Sequence, residues 1–236
     1  GLTQLEMAEQ FSKWNTEELD SFLIEITADI LKYKDEKKGF LLERIRDCAG
    51  QKGTGKWTAI AALQYGVPVT LIGEAVFSRC LSSLKEERVN ASSQLNGPAV
   101  QLKPEDRNEF LNHIKHALYC AKVVSYAQGF MLLREAAKEN GWKLNYGGIA
   151  LMWRGGCIIR SVFLGNIKEA FTSNPQLSNL LLDDFFKKEI DAGQHSWRQV
   201  VANAFLWGIP VPALATALSF YDGYRCEKLP ANYCKH

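Results

Sequence analysis

The stretch Ile45-Arg46-Asp47-Cys48-Ala49-Gly50-Gln51-Lys52-Gly53-Thr54-Gly55-Lys56-Trp57 is the most informative part of the sequence for both fold and function. It sets two lysines and a threonine among three glycines, directly before an apolar run with helical spacing. Glycine lets backbone N–H groups approach a ligand closely. Lysine provides a mobile positive charge, and the threonine hydroxyl donates a hydrogen bond. Because the start of a helix exposes unpaired N–H groups, such a loop is suited to binding an anion.

The phosphate loop of nucleotide triphosphatases, G-x-x-x-x-G-K-[ST], is one candidate for this stretch. Residues 50–56 fit it as far as the lysine, but Trp57 stands where the motif has the Ser or Thr that holds Mg²⁺. That motif also follows a buried strand, whereas residues 41–47 are charged and spaced like a helix. The sequence therefore disfavours a nucleotide-hydrolysing protein. It leaves two interpretations open, a phosphate site or a helix connection with solvated lysines.

A family resemblance favours the phosphate site. The pattern Ile-x-Asp-x-x-Ala/Gly-x-Lys-Gly-Thr-Gly-x-Trp at residues 45–57 resembles the signature of the 6-phosphogluconate dehydrogenases, the decarboxylating enzymes of the pentose phosphate pathway. Further stretches similar to that family follow in order between about residue 4 and Asn232, at residues 20–27, 65–70, 125–130, 145–161 and 217–222.

The resemblance implies three ligands for the phosphate of 6-phosphogluconate: Lys52, Thr54 and Arg79. The chemistry is coherent, because a guanidinium offers a planar fork to a dianionic phosphate and charge-assisted hydrogen bonds are strong. Without the resemblance, a salt bridge between Arg79 and Glu74 or another residue of the helix is the favoured interpretation. Lys56 is expected to be a solvated neighbour.

The resemblance also implies the reaction of the whole enzyme. NADP oxidises a hydroxyl, and the keto acid then loses carbon dioxide to give ribulose 5-phosphate. The family binds NADP mainly in an N-terminal domain with G-x-G-x-x-G after a strand, and its general base and general acid lie on the helix just before the point where this sequence begins. We therefore assign no catalytic, cofactor-binding or metal-binding residue here, and we expect this chain alone to be inactive as a dehydrogenase.

The expected architecture is all-α, a single helical substrate-binding and dimerisation domain over residues 1–236. Gly1-Leu2-Thr3 is an unusual natural start, and residues 233–236 depart from the family's C-terminal tail, which reaches the partner subunit. We therefore expect the chain to lack both the N-terminal domain and that tail. The expected partners are 6-phosphogluconate and a second copy of the chain, with no nucleic acid and no membrane. The alternative is a non-catalytic helical module that interacts with the enzyme or regulates it.

Helical periodicity dominates the sequence. A capping box of Thr3 and Glu6 predicts a helix ending near Trp14, and Thr16 is expected to cap the next helix. That second helix is expected to bury a stripe of Leu19, Phe22, Leu23, Ile26, Ile30 and Leu31. Residues 32–39 are expected to form a solvated turn. Further helices are expected at residues 41–46, 57–65, 69–84, 104–140 (with Pro104 in its first turn), 177–190, 196–207 and 211–221. Buried helices are expected within 146–171, a loop at 90–98, and no hairpin.

One internal repeat supports a duplicated helical unit. Trp57…Tyr65-Gly66-Val67-Pro68-Val69 resembles Trp197…Trp207-Gly208-Ile209-Pro210-Val211. Both segments lie between one expected helix and the next. The resemblance implies the same feature, because the family's helical domain is a duplication.

Composition describes an ordinary globular protein, with 47% hydrophobic and 23% charged residues and a net charge of +2. Such a small charge gives no general attraction to nucleic acid or to anionic membranes. The six cysteines have no zinc spacing, there is no signal peptide, and no apolar run is long enough to span a membrane, so free thiols and a cytoplasmic location are expected.

Four other residue groups have candidate roles. His113 and His116 are a weak metal pair without a third ligand. His195 is expected near a helix start. Arg154 and Arg160 are expected in ion pairs, and Trp57 is expected in the core.

Overall fold

The structure is a computed structural model that describes residues 1–36, 39–99 and 107–231. The described residues form ten α-helices, one two-stranded hairpin of β1 (Lys34–Asp35) and β2 (Gly39–Phe40), and two short 3₁₀ helices at Leu42–Arg44 and Leu180–Leu182. The all-α prediction is confirmed. The helices are α1 Gln4–Trp14, α2 Phe22–Lys32, α3 Thr54–Gln64, α4 Thr70–Ser83, α5 Lys85–Ser92, α6 Arg107–Asn140, α7 Tyr146–Met152, α8 Leu164–Ser173, α9 Asp184–Leu206 and α10 Pro212–Tyr224.

The centre of the fold is α6, which spans 34 residues and is about 50 Å long at 1.5 Å per residue. It packs along α9, and small residues bring the two helices close. A β-carbon on Gly193 of α9 would lie 2.6 Å from Cys120 Sγ of α6. Residues 184–206 form one helix, although the sequence predicted two, and Gly193 allows close packing within it. Gly141, at φ +67°, ends α6 as predicted.

Helices α1 and α2 form an antiparallel pair at the start of the chain. The capping box of Thr3 and Glu6 is confirmed, and α1 ends at Trp14 as expected. Thr16 was the wrong cap for α2. Ser21 caps that helix, while the Thr16 hydroxyl donates to the Lys13 carbonyl at 2.8 Å.

The face that α2 buries also differs from the prediction. Its buried residues are Ile24, Ala28 and Leu31, whereas Leu23 and Ile30 of the expected stripe are exposed. The helix begins five residues later than a Thr16 cap would place it. Leu19 is fully buried but lies before the helix.

The internal repeat is confirmed at the level of the backbone. Gly66 (φ +65°) and Gly208 (φ +68°) follow α3 and α9 in the left-handed conformation that ends helices. In both copies the N–H of the residue after the glycine donates a hydrogen bond to the carbonyl five residues earlier. Val67 donates to the Ala62 carbonyl and Ile209 to the Ala204 carbonyl, each at 2.8 Å. The following helices, α4 and α10, then pack against each other.

Several local predictions were wrong. Residues 34–40 include a short hairpin where a turn was expected. Residues 41–46 contain only one 3₁₀ turn, and α5 occupies part of the loop expected at 90–98. In contrast, the helices predicted within 146–171 are confirmed as α7 and α8, which are joined by an irregular segment in which Ser161 bridges to Ser21. Pro104 lies outside the described residues.

In the described ranges, no helix combines the length and the apolar character that crossing a membrane would require.

Candidate functional site

The glycine-rich loop precedes α3, which begins at Thr54, three residues before the predicted start. The residue before the helix, Gly53, adopts φ +112°, a conformation that favours glycine. No side chain caps this helix start. The N–H groups of the first turn are therefore available to a ligand, with the positive end of the helix dipole behind them.

Arg79 on α4 contacts this loop directly. Its Nε donates to the Gly50 carbonyl at 2.7 Å, and its Nη2 donates to the same oxygen. No ion pair joins Arg79 to Glu74 in the part of the chain that the structure describes. The interpretation of Arg79 as a helix-surface salt bridge was therefore wrong. A guanidinium has five N–H donors, and Gly50 uses two of them, so three are available to a ligand.

The segment before Gly50 is fixed on the end of α4 and the start of α5. The Ala49 N–H donates to Ser82 Oγ at 2.9 Å. Arg88 donates to the Asp47 carbonyl at 2.8 Å and to the Ser82 carbonyl at 2.9 Å. The Asp47 carboxylate pairs with Lys85 at 2.6 Å and with Arg88 at 3.3 Å. The hydrogen bond from Lys85 holds the pKa of Asp47 below its usual range.

The other end of the loop is also held against α4. A β-carbon on Gly55 would lie 2.7 Å from Val76 Cγ2, so only glycine allows α3 and α4 to approach so closely here. Between these two attachments Gln51 and Lys52 are exposed. Lys52 has no ion pair within the described ranges, and its ammonium group is available to an anion.

Trp57, expected in the core, is 65% exposed, whereas its counterpart in the repeat, Trp197, is fully buried. The prediction for Trp57 was wrong because α3 turns the indole away from the core. The two tryptophans occupy similar positions in sequence but different environments. The similarity of the repeat therefore lies in the helix endings and not in the burial of these side chains.

The structure locates three of the remaining sequence candidates, His113, His195 and Arg160. His113 Nδ1 lies 2.9 Å from Ser196 Oγ, and no cluster of metal-ligating side chains occurs among the residues the structure describes. His195 lies in the middle of α9 and not near its start. Arg160 pairs with Glu25 at 2.6 Å and with Asp20 at 3.6 Å, as an ion-pair role predicted.

A second concave feature is an apolar groove of about 740 Å³ between α2, α6 and the segment around residue 158. Lys122 lines it, with Nζ 5.5 Å from the centre of the Phe163 ring and 3.5 Å from the Leu19 carbonyl. Burial lowers the pKa of Lys122 to about 8, against the opposing effect of Asp20. Thr58 of α3 and Ile72 of α4 also line the groove, whereas residues 45–57 do not.

Comparison with known proteins decides the family. Residues 1–236 match the model of the 6-phosphogluconate dehydrogenase C-terminal domain. The chain belongs to this family. The decarboxylating 6-phosphogluconate dehydrogenases of Ceratitis capitata and Homo sapiens are 82% and 66% identical to it over 98% of its length. It covers 48% of each, so the chain spans about half the length of these relatives.

A solved structure gives the same result for the fold. The 6-phosphogluconate dehydrogenase of Plasmodium falciparum, determined without ligand, with NADP⁺ and with 6-phosphogluconate, superposes with a TM-score of 0.95 at 42% identity. The match covers 99% of this chain and 50% of that one.

The structure of this 6-phosphogluconate dehydrogenase domain brings Arg79 to the loop that carries Lys52 and Thr54. The sequence alone did not point to Ser82 or Arg88, because neither residue is part of the signature. Both side chains bind backbone groups of the loop, which leave no pattern in the sequence.

Proposed function

We propose that this chain is the substrate-binding and dimerisation part of a 6-phosphogluconate dehydrogenase. The proposed enzyme oxidises 6-phosphogluconate with NADP and decarboxylates the product to ribulose 5-phosphate. The observation that carries the proposal is the contact between Arg79 and Gly50, because it places a guanidinium beside the loop that carries Lys52 and Thr54. Family membership supports the substrate class.

The three side chains have complementary roles in the proposed site. Lys52 supplies a point charge, and Arg79 offers the three donors that Gly50 does not use. Thr54 supplies a hydroxyl and a backbone N–H at the uncapped start of α3. Two cations and a helix N-terminus together suit a dianionic phosphate, and charge-assisted hydrogen bonds of this kind contribute roughly 1.5–3 kcal/mol each.

NADP belongs to the proposed function but is not assigned to residues of this chain. A dinucleotide fold uses a parallel sheet with a glycine-rich turn after its first strand. The described strands, β1 and β2, are antiparallel and two residues long, and so do not fit that fold. We therefore propose that an N-terminal domain binds NADP. In this proposal, the chain described here holds the substrate's phosphate, and the substrate's hydroxyl carbon gives up a hydride that NADP⁺ would accept.

The proposal includes a homodimer in the cytoplasm. Large apolar side chains on α3 and α4 support association, because apolar surface of this kind is typical of protein interfaces. Leu63 of α3 and Phe77 and Leu81 of α4 are largely exposed. Phe205 and Leu206, at the end of α9 in the second copy of the repeat, are exposed as well.

The experiment is steady-state kinetics on a full-length family member with alanine at the positions of Lys52, Thr54 and Arg79. Each loss of a charged ligand should raise KM for 6-phosphogluconate by about tenfold or more, while KM for NADP changes little. The matched control is Lys56→Ala, which removes a lysine from the first turn of α3, the helix that begins at Thr54. If the triple variant kept the unaltered enzyme's affinity for 6-phosphogluconate, the phosphate assignment would be wrong. NADP-dependent turnover by the purified 236-residue chain would contradict the proposed division of roles.

A further inference from the structure

The loop that carries Lys52 is held by contacts that do not touch the proposed phosphate position. Arg88, on α5, is the centre of these contacts. Its guanidinium joins the backbone of the loop at Asp47 to the backbone of α4 at Ser82, through hydrogen bonds of 2.8 and 2.9 Å to the two carbonyl oxygens. It also reaches the Asp47 carboxylate at 3.3 Å.

We propose that Arg88 is a positioning residue for the substrate's phosphate, because it fixes the loop of Lys52 and Thr54 against the helix that carries Arg79. The inference rests on the proposed function. Arg79 and Ser82 are on α4, and Arg88 joins the end of that helix to the loop. This connection therefore helps to keep the phosphate ligands on the loop at a constant separation from the ligand on α4.

A second contact also holds the loop against α4. The Ala49 N–H donates to Ser82 Oγ, and the same hydroxyl lies 2.7 Å from the Arg79 carbonyl. The loop is thus attached to the last turn of α4 at Ala49 and, through Arg79, at Gly50. A loop that is positioned in this way loses less conformational entropy when the ligand arrives.

Charge alone makes a different prediction from positioning. Arg88 is a cation close to the loop, and its attraction for phosphate would remain if lysine replaced it. Lysine, however, has no planar fork and cannot bridge two carbonyl groups and a carboxylate in the same geometry. Arg88→Lys therefore separates the two roles, because it preserves the charge and removes the connection.

The experiment compares Arg88→Lys with Arg46→Lys in a full-length family member. Arg46 lies in the same loop and pairs with Glu86 of the same α5, but both side chains are largely exposed and this pair bridges no carbonyl groups. Arg88→Lys should raise KM for 6-phosphogluconate roughly tenfold and weaken competitive inhibition by inorganic phosphate by the same factor. KM for NADP should stay within about twofold, and Arg46→Lys should leave all three values unchanged.

Two further measurements make each outcome decisive. Lys52→Ala in the same assay tests the proposed function. If Lys52→Ala raises KM and Arg88→Lys does not, the positioning role is overturned and the phosphate site stands. If neither does, the proposed function fails.

A variant that only lost stability would lower kcat through its active fraction, without changing KM for 6-phosphogluconate or the inhibition constant of inorganic phosphate. Ser82→Ala, a milder change, should then raise KM for 6-phosphogluconate by about threefold, and an unchanged KM there would also overturn the inference.

Discussion

The close approach of α3 and α4 at Gly55 gives a prediction about stability that needs no ligand. In Gly55→Ala the new β-carbon would lie 2.7 Å from Val76 Cγ2. The optimal separation of two carbon atoms is about 3.5–4.0 Å, so the helices must move apart by roughly 1 Å. Such overpacking costs about 1–3 kcal/mol. Alanine in a helix gains up to about 1 kcal/mol over glycine, which offsets part of this cost.

Gly73→Ala on α4 is the matched control, because a β-carbon there has no neighbour within 4 Å. It should gain helix propensity without the clash, so the two variants should differ in free energy of unfolding by about 1–3 kcal/mol. Urea unfolding followed by far-UV circular dichroism measures both. Adding Val76→Ala, which removes the methyl group in contact, should recover most of the loss from Gly55→Ala. Equal effects of the two glycine substitutions would refute the claim that Gly55 sets the spacing of α3 and α4.

Two further predictions concern buried polar groups. Burial lowers the pKa of Lys122 from 10.5 to about 8, so the unfolded chain binds more protons between these values and the contribution of Lys122 to stability should rise with pH there. The gain in free energy of unfolding from Lys122→Met should therefore be largest below pH 8, where it is at most about 3 kcal/mol. This gain should shrink as the pH rises towards 10.5, and a gain that does not depend on pH would contradict the prediction. Gln128, fully buried on α6, accepts from the Leu71 N–H at 3.0 Å and donates to Thr70 Oγ1 at 2.9 Å. Gln128→Leu should lower the free energy of unfolding by about 1–3 kcal/mol in urea unfolding, because it leaves the Leu71 N–H without its acceptor, and an unchanged free energy would contradict this role.

The role of Gln128 shows how a distant residue completes a helix. α4 begins after Val69, which has no side chain able to cap it. Gln128 supplies the missing acceptor from the middle of α6, 57 residues away in sequence. In contrast, α1 and α2 are capped by Thr3 and Ser21 within three residues of the N–H groups they satisfy. The sequence pattern identified the Thr3 cap. It missed Ser21, because Thr16 offered a competing local signal.

The repeat around Gly66 and Gly208 was predictable for a similar local reason. A glycine after an apolar helical run, followed by a proline two residues later, predicts a left-handed helix ending, and both glycines adopt it. Whether the tryptophan at the start of each copy is buried was not predictable. Trp197 lies against α10 and donates to the Leu214 carbonyl at 3.0 Å, whereas Trp57 faces outwards.

Periodicity, capping and the conformational freedom of glycine act over a few residues, so the helical class and the main helix endings could be predicted from sequence. The signature at residues 45–57 also identified the family. The way in which the glycine-rich loop is held depends instead on long-range packing. The contacts of Arg79 with Gly50 and of Arg88 with Asp47 span 29 and 41 residues. Helix packing brings together residues that are this far apart in the sequence, and Gly55 sets the distance between α3 and α4. No local pattern encodes that distance.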